Sequence, residues 1–158
     1  MKLNRQHVEQ LMKLVNSSPY FQLLAMTLKD IKVGYSLLKV NISIRHLSPY
    51  GTVQSGVYAS LIDAAAHWAV YGELEEDTGL ITLDVNVSNL GSVKAGELTI
   101  IGERVKCGTT IGLAEASIAD ENSKILAYGH SKLLLTRGLQ TIDHIAKAAN
   151  KTLPPKFG

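Results

Sequence analysis

Hydrophobic residues at helical spacing begin the chain and predict an amphipathic helix within residues 1–18. The apolar stripe of this helix consists of Val8, Leu11, Met12 and Val15. Ser17, Ser18 and Pro19 follow directly, and residues of these types are typical of a helix end. The first predicted element is therefore a short helix with one buried face.

Alternating hydrophobic and polar residues then predict two β-strands over residues 21–47, which turn near residues 32–34. One face of the second strand carries Lys39, Asn41 and Ser43. The opposite face is apolar and consists of Leu38, Val40, Ile42 and Ile44. Such alternation predicts a strand with one side on the core and the other side toward water.

Residues 57–72, VYASLIDAAAHWAVYG, are hydrophobic or small at almost every position. A helix without a polar face is a buried helix, so this segment predicts a central helix that ends near Gly72. It contains one carboxylate, Asp63, and one histidine, His67, which lies four residues later and therefore on the same face. An acid inside a core helix needs a structural or a functional explanation.

Four strand-like runs make up most of the second half of the chain, and short polar or glycine-containing segments connect the last three. Strands that follow one another in this way favour an antiparallel sheet. The four runs span residues 80–90, 97–107, 110–120 and 124–135.

The C-terminal tail, residues 138–158, has hydrophobic residues at helical spacing, and Pro154 and Pro155 then end any regular structure. The apolar positions are Leu139, Ile142, Ile145, Ala146 and Ala149. A short terminal helix is therefore predicted.

The predicted order is helix, two strands, buried helix, four strands and helix. Only a sheet wrapped around the buried helix can give it apolar cover on every side, so we expect an α+β fold of that kind. A length of 158 residues favours a single domain over residues 1–158. In that domain, residues 1–18 form an N-terminal helix and residues 138–158 form a helical tail.

Composition places the chain among globular proteins, because 46% of its residues are hydrophobic and 19% are charged. The net charge is only +2 and no basic cluster is present, so we expect no nucleic-acid partner. No segment has the length of a membrane span or the apolar core of a secretory signal. We therefore expect no membrane association and a cytoplasmic location.

The single cysteine, Cys107, cannot form an internal disulfide, which favours a reducing compartment. The five histidines are scattered without the spacing of metal ligands, so we expect neither a metal nor another cofactor. The sequence also lacks a Gly-x-Ser-x-Gly motif and a phosphate-binding glycine loop. Asp63 remains the residue that needs a chemical explanation.

Three segments of the chain together resemble the hotdog-fold acyl-CoA thioesterases of the PaaI type, which are similar to 4-hydroxybenzoyl-CoA thioesterases. These segments are HLSPYGTVQSGVYASLIDAAAHWAV, LITLDVNVSNLGSVKAGEL and VKCGTTIGLAEASIADENSKILAYGHSKLL. The first matches the family motif at His46, Gly51 and Gly56, and Asp63 falls at the place of the family's acid. The resemblance covers residues 20–136 and implies a hotdog fold, in which an antiparallel sheet wraps around a long central helix.

The chain departs from the family pattern at three places. Gln54-Ser55-Gly56 stands where the family has His-Gly-Gly, and Ser48 stands where an asparagine is common. Residues 89–92, Asn-Leu-Gly-Ser, replace a frequent Tyr-Leu-Arg-Pro. These departures favour an alternative function, a non-catalytic protein that binds or senses acyl-CoA on the same fold.

The resemblance implies that Asp63 is the nucleophile or general base for hydrolysis of the acyl-CoA thioester to a free acid and coenzyme A. It also implies that the backbone N–H of Ser55, next to Gly56, binds the oxyanion. Physical chemistry supports both roles, since a helix N-terminus offers unpaired N–H groups and a partly desolvated carboxylate is a stronger base. The alternatives are an N-cap role for Ser55 and a structural, hydrogen-bonded Asp63.

Other polar residues receive roles from the same resemblance. Thr82 is expected to orient the attacking water, while Gln54 and Ser48 are expected to contact the thioester carbonyl. The alternatives are an ordinary strand threonine and two side chains that satisfy loop backbone groups. His67 either tunes Asp63 or trims the acyl pocket, unless it is simply a packed histidine, and the same pocket is expected to include Tyr50 and Ser60.

Coenzyme A enters as part of the substrate, and its phosphates need basic side chains and backbone N–H groups. The candidates are Lys106, Gly108, Thr109, Thr110 and Lys94, followed by Lys132 and Arg137, although each lysine can equally be a solvated surface charge. The resemblance also implies a homodimer or homotetramer with the site at the subunit interface. Asp63 of one protomer would then work with Ser55 of the other.

Overall fold

The computed structural model of the protein describes residues 2–158, and its first element confirms the predicted N-terminal helix. Helix α1 spans Arg5–Asn16, and the Asn4 side chain caps it by accepting a hydrogen bond from the N–H of Gln6. Its buried face consists of His7, Val8, Leu11 and Val15. Helix α1 packs against the first strand of the sheet.

The prediction of a strand from residue 21 is wrong, because a second helix, α2, occupies Pro19–Leu24. Proline ends a helix from within but suits the first helical turn, where its missing N–H needs no partner. Pro19 therefore begins α2 instead of only ending α1. Ala25, in the left-handed conformation at φ 51°, ends the helix and leads into the sheet.

Strands β1 (Met26–Lys32) and β2 (Tyr35–Ile42) form the predicted antiparallel pair, and Gly34 at φ 72° permits the tight turn between them. The placement of Ile44 on the apolar face of β2 is wrong. The chain leaves the sheet after Ile42, and Ile44 is 87% exposed at the start of a short 3₁₀ helix.

His46 explains why the chain turns away from the sheet. Its buried ring accepts a hydrogen bond from the N–H of Ser43 at Nδ1, 3.0 Å away. Its Nε2–H donates to the carbonyl oxygen of Leu24 at 2.6 Å. The ring thus joins the end of β2 to the end of α2 and fixes the loop that precedes the central helix.

Helix α3, Ser55–Tyr71, is the predicted central helix and is buried along most of its length. It lies against the sheet so closely that a Cβ on Gly102 would overlap the carbonyl oxygen of Ala65. The Ser36 hydroxyl donates to the same carbonyl at 2.6 Å. These contacts fix the position of α3 on the sheet, and with it the positions of Asp63 and His67.

The remaining strands complete one sheet in which all neighbours are antiparallel, in the order β1-β2-β4-β5-β6-β3. The four strands are β3 (Thr78–Asn89), β4 (Gly96–Cys107), β5 (Ile111–Ala119) and β6 (Ile125–Arg137). All six strands face α3, which confirms the predicted sheet around a central helix. Because β3 stands at an edge of the sheet, no other strand of residues 2–158 pairs with its outer side.

The C-terminal helix, α4, is shorter than predicted and spans only Ile142–Ala148. Leu139 lies before it and is 60% exposed, so its place in the helical stripe is wrong. After α4 the chain returns to the N-terminus, where Leu3 and Phe157 form an isolated bridge. Among the helices of residues 2–158, none has the length and apolarity needed to cross a bilayer.

Candidate active site

Asp63 lies in the middle of α3, half-buried, and faces a cavity of about 280 Å³. We call this the Asp63 cavity. It lies between α3, the region of α2 and the edge strand β3. Its walls consist of Ser18, Tyr20, Phe21, Met26, Ser60, Asp63, Ala64, His67, Trp68 and Thr82. The cavity therefore brings together four of the predicted residues: Asp63, Thr82, Ser60 and His67.

Thr82 contacts Asp63 directly, since its Oγ1 donates a hydrogen bond to Asp63 Oδ1 at 3.1 Å. The register of β3 against β6 shifts between Thr82 and Asp84, so Leu83 is the extra residue of a β-bulge. Asp84 holds the bulge by accepting a hydrogen bond from the N–H of Lys132 at 3.0 Å. Nothing in the alternating pattern of β3 indicates this bulge beforehand.

Burial raises the pKa of the Asp63 carboxyl above its ordinary value, because the charged form loses water in this cavity. The hydrogen bond from Thr82 acts in the opposite direction with a smaller effect. A carboxylate of this kind accepts a proton more readily than an exposed aspartate does. Asp63 thus has the position and the basicity to activate a water molecule, and it is also open to the cavity as a nucleophile.

Tyr20 belongs to the site, although no motif or spacing in the sequence indicates it. Its hydroxyl lies 2.7 Å from the hydroxyl of Ser60. Because Ser60 donates its own proton to the carbonyl oxygen of Gly56 at 3.1 Å, it can accept the proton of Tyr20. Tyr20 lies on α2, one helical turn from Leu24, in a stretch without a recognisable motif. The pair forms a polar wall beside Asp63.

His67 lines the Asp63 cavity, but no hydrogen bond joins its ring to Asp63 or to any other described residue. Its ring meets Trp68 edge-on, with the ring centroids 4.8 Å apart. Burial lowers the pKa of His67 to about 4, so the imidazole is neutral at neutral pH. The position therefore fits a pocket wall better than a charged partner for Asp63.

The N-terminus of α3 is open to solvent at Gln54, Ser55 and Gly56. Gln54 is the N-cap, and its side chain makes no capping hydrogen bond, so the interpretation of Ser55 as the N-cap is wrong. Ser55 is instead the first helical residue, and its backbone N–H belongs to the orphan donors of the helix start. These N–H groups and the positive end of the helix dipole can bind a developing oxyanion.

Ser55 and Asp63 cannot contact one thioester carbonyl within a single protomer. Asp63 follows Ser55 by eight residues, which places them about 12 Å apart along the helix axis at 1.5 Å per residue. A reacting carbonyl needs both groups within hydrogen-bond reach. One chain therefore carries two separate halves of the expected site.

Ser48 and Tyr50 lie in the loop before α3 and do not line the Asp63 cavity of the same protomer. The hydroxyl of Ser48 accepts a hydrogen bond from the N–H of Tyr50 at 3.2 Å, while its carbonyl accepts from the N–H of Gly51 at 2.9 Å. The Tyr50 side chain is 92% exposed. In one protomer Ser48 shapes the loop, and Tyr50 is free to contact a second molecule.

Most of the residues expected to bind coenzyme A lie at the far end of α3. Gly108 and Thr109 line a separate cavity of about 370 Å³ together with Glu73 and Glu75, while Lys106 and Thr110 are exposed nearby. Glu73 follows Asp63 by ten residues, which corresponds to about 15 Å along the helix. Arg137 lines the same cavity, and Glu73 forms an ion pair with Arg104 at 2.8 Å, so the cavity contains both acidic and basic groups.

Lys94 is the predicted coenzyme A residue that lies near the start of α3. It is exposed in the loop between β3 and β4, next to Val93, whose carbonyl accepts a hydrogen bond from the N–H of Val53 at 2.9 Å. Residues 2–158 contain no group of three histidine, cysteine or acidic side chains placed to hold a metal.

The chain is similar to known thioesterases in sequence. Residues 50–127, which contain α3 and the first three strands after it, match the family model of the thioesterase superfamily. A curated relative, a 1,4-dihydroxy-2-naphthoyl-CoA hydrolase of Listeria monocytogenes, is 26% identical over 97 residues. That match covers 61% of this chain and 79% of the relative.

Solved structures agree with the fold at low sequence identity. A thioesterase from Haemophilus influenzae superposes with a TM-score of 0.75 at 21% identity, covering 84% of this chain and 92% of its own. A variant of a thioesterase from Pseudomonas aeruginosa gives a TM-score of 0.75 at 16% identity and covers 82% and 94% of the two chains. The chain belongs to the thioesterase superfamily, has the hotdog fold of that family, and is a thioester hydrolase.

Proposed function

We propose that this protein is an acyl-CoA thioesterase of the PaaI type, which hydrolyses an alkyl- or aryl-CoA thioester to a free acid and coenzyme A. Asp63 is its base or nucleophile. The relative from Listeria acts on a coenzyme A thioester of an aromatic acid, which supports this substrate class. The observation that carries the proposal is the half-buried Asp63 carboxylate, which has a raised pKa and holds one hydrogen bond beside an open cavity.

The reaction follows from the groups around Asp63. As a base, Asp63 takes a proton from water, and the resulting hydroxide attacks the thioester carbonyl carbon. The oxyanion that forms is bound by the N–H of Ser55, and its collapse breaks the C–S bond and releases the coenzyme A thiolate, which then takes up a proton. In the alternative route the Asp63 carboxylate attacks first, and water hydrolyses the resulting anhydride. Thr82 holds the carboxylate in position for either route.

We further propose that the site is completed between two subunits, with Asp63 from one protomer and Ser55 from the other. The separation of the two residues by about 12 Å along α3 requires a second helix start near each Asp63. The outer edge of β3 is unpaired within the protomer, and Thr82 lies on this strand beside Asp63. A homodimer or a homotetramer built through β3 would cover that edge and bring a partner's surface to the cavity.

Coenzyme A would then lie along the surface near the helix start that receives the carbonyl. Lys94 is a basic residue in the loop whose Val93 carbonyl accepts the N–H of Val53. The turn of Lys106, Gly108, Thr109 and Thr110 remains a second candidate, which would have to serve the site from a partner subunit. Lys94→Ala would raise KM for acyl-CoA and leave kcat unchanged if Lys94 binds the phosphates, whereas Lys106→Ala would do so if the turn binds them.

The experiment is a panel of alkyl- and aryl-CoA thioesters with detection of the free thiol. We expect release of coenzyme A from at least one substrate, its loss in Asp63→Ala, and normal rates in Glu9→Gln, which changes an exposed carboxylate on α1. Near-normal turnover by Asp63→Ala would contradict the assignment.

A second candidate function, the non-catalytic binding or sensing of acyl-CoA, is favoured by the Gln54-Ser55-Gly56 sequence at the helix start. The same panel separates the two. Measurable binding of coenzyme A thioesters, with no thiol release above background from any of them, would replace the proposed enzyme with the sensor.

A further inference from the structure

A second and larger cavity adjoins the Asp63 cavity. Its volume is about 610 Å³, and it lies between the end of α1, the start of α2 and the C-terminal helix α4. We call this the distal cavity. Ser18 and His67 line both cavities, so the two spaces lie on either side of these side chains. A ligand that extends from the Asp63 cavity past Ser18 and His67 would enter the distal cavity.

The walls of the distal cavity are mainly apolar. Leu14 and Pro19 form one side, and Ile145, Ala148 and Ala149 of the C-terminal segment form the other. Ala148 and Ala149 are small residues that remain exposed although they face this space. Their short side chains leave this space unfilled.

The neck between the two cavities carries no charge at neutral pH. The His67 ring has no hydrogen-bond partner among the described residues, and burial lowers its pKa to about 4. Among the described residues, His67 and His144 are the only titratable side chains that line the distal cavity, and Asp63 lines the Asp63 cavity on the opposite side of the neck. An apolar chain that passes a neutral imidazole displaces little bound water, whereas a charged imidazolium would oppose its entry.

The volumes of the two cavities also fit one ligand that occupies both. Small-molecule sites commonly enclose about 300–1,000 Å³. The Asp63 cavity, at about 280 Å³, lies just below this range and suits only a short acyl group. Together with the distal cavity it reaches the upper part of the range, which suits an acyl group that extends well beyond the thioester carbonyl.

We infer that the distal cavity is an acyl-chain subsite, which binds the far end of a linear alkyl group whose thioester carbonyl lies at Asp63. This inference rests on the proposed function for the position of the carbonyl. The residues that set the chain length then come from α1, α2 and α4, outside residues 50–127 that match the thioesterase superfamily. The reaction and the preference for an acyl group would thus be carried by different parts of the chain.

Ala148→Phe tests the subsite by placing an aromatic ring in the distal cavity. Because Ala148 is exposed at the end of α4, the change removes no packing contact from the core. We expect kcat/KM for decanoyl-CoA to fall by about tenfold or more, and kcat/KM for acetyl-CoA to stay within about twofold, since one or two methylenes in an apolar pocket already change rates by such factors. The matched control is Lys147→Phe on the other side of the same helix, which should leave both rates unchanged.

A binding measurement tests the same subsite without catalysis. Trp68 is the one tryptophan of the chain and lines the Asp63 cavity in contact with His67, so its fluorescence reports on ligands in the neck. We expect a saturable fluorescence change with decanoate, none with acetate, and at least about tenfold weaker decanoate binding in Ala148→Phe than in Lys147→Phe.

The outcomes distinguish this inference from the proposed function. Hydrolysis with an unchanged decanoyl-to-acetyl ratio and unchanged decanoate binding in Ala148→Phe would overturn the subsite and leave the thioesterase intact. The same unchanged values together with a loss of oligomers would show that a second copy of the chain covers the cavity, and would also overturn it. Decanoate binding that depends on Ala148, in a protein that releases no thiol from any substrate, would support the subsite and reject the proposed function.

Discussion

The two ends of helix α3 differ in how completely their polar groups are paired. In its first half, residues 54–63, the Gln54 side chain makes no cap and Asp63 holds a single side-chain hydrogen bond. We call this the open half of the helix. At the other end, residues 71–74, the Tyr71 hydroxyl and the carbonyls of Tyr71 and Leu74 are all hydrogen-bonded to the terminal segments of the chain. We call this the sealed end.

The sealed end is held by residues from both termini. The buried ammonium of Lys156 donates to the carbonyl oxygens of Tyr71, at 2.7 Å, and Leu74, and it lies 3.8 Å from the centroid of the Tyr71 ring. His7 donates from Nδ1 to the carbonyl oxygen of Pro154 at 2.7 Å, so its Nε2 accepts the proton of the Tyr71 hydroxyl at 2.6 Å. A cation at a helix C-terminus is also favoured by the helix dipole.

This difference in the pairing of polar groups indicates that the open half of α3 serves function and the sealed end serves stability. Unpaired donors and a partly desolvated acid weaken a folded protein, and they are kept where a substrate needs them. Paired groups at the sealed end attach the N-terminal and C-terminal segments to the core. We therefore expect substitutions in the open half to change activity at constant stability, and substitutions at the sealed end to change stability at constant activity.

Asp63→Asn should have the largest effect. We expect kcat to fall by about 10³-fold, because the amide can neither accept the proton from water nor attack the carbonyl. The free energy of unfolding should stay the same or rise, since the change removes the cost of burying a charge at Asp63. Steady-state kinetics and urea unfolding on the same preparation measure both. A clear loss of stability would contradict the contrast between the two ends.

Ser55→Pro tests the open helix start. Proline fits the first helical position, and Gln54 before it is already extended at φ −66° and ψ 133°, as a residue before proline must be. The substitution therefore removes the N–H and leaves the helix, and kcat should fall by about 10²–10³-fold. Ser55→Ala keeps the N–H and should stay within about threefold of the wild type. Equal rates in the two variants would remove Ser55 from the oxyanion site.

Thr82→Val tests the contact that holds Asp63. We expect kcat/KM to fall by about tenfold through loss of the hydrogen bond that positions the carboxylate. The bond lowers the pKa of Asp63, so its removal raises that pKa further. The base is active when deprotonated, and the acid limb of the pH–rate profile should therefore move to higher pH. A limb that moves to lower pH would contradict the role of Asp63 as the titrating base.

Lys156→Met tests the sealed end and should have the smallest effect on activity. Removing the ammonium leaves the carbonyls of Tyr71 and Leu74 without their donor, which should cost about 1–3 kcal/mol of unfolding free energy near pH 7. The kcat should not change. A fall in kcat with unchanged stability would reverse the comparison between the two ends.

The pH dependence of this cost has a definite sign. Burial lowers the pKa of Lys156 from 10.5 to about 7, so the unfolded chain binds more protons than the folded chain between these two values. Lys156 therefore makes the stability of the wild type rise with pH across that window, and Lys156→Met should lack this rise. Unfolding curves of both proteins at pH 6.5, 8.5 and 10.5 measure the difference, with the other titrating groups common to both.

Local patterns in the sequence are sufficient for most of the fold and for part of the site. The apolar helix, the hairpin strands and the acid at Asp63 all follow from residues close together in the chain. Pro19 is ambiguous in the sequence because a proline after a helix is equally suited to begin another helix. The place of Tyr20 beside Ser60, the bulge at Leu83 and the burial of Lys156 depend on contacts between distant segments, which periodicity does not encode.

The distal cavity was unpredictable for the same reason. It needs Pro19, His67 and Ala148 to meet across more than 120 residues of chain. Hydrophobic spacing indicated that the tail would form a helix, and α4 confirms this in part. The spacing carries no information on which surface the helix covers or how much space it leaves beneath.

Complementation between two inactive chains tests most directly whether Asp63 of one subunit works with Ser55 of the other. Asp63→Asn and Ser55→Pro chains are refolded together in equal amounts and assayed for thioester hydrolysis. If the site is shared, half of the randomly formed dimers are mixed and each contains one intact site, so about a quarter of wild-type activity should return. Activity no higher than the sum of the two separate variants would contradict the account.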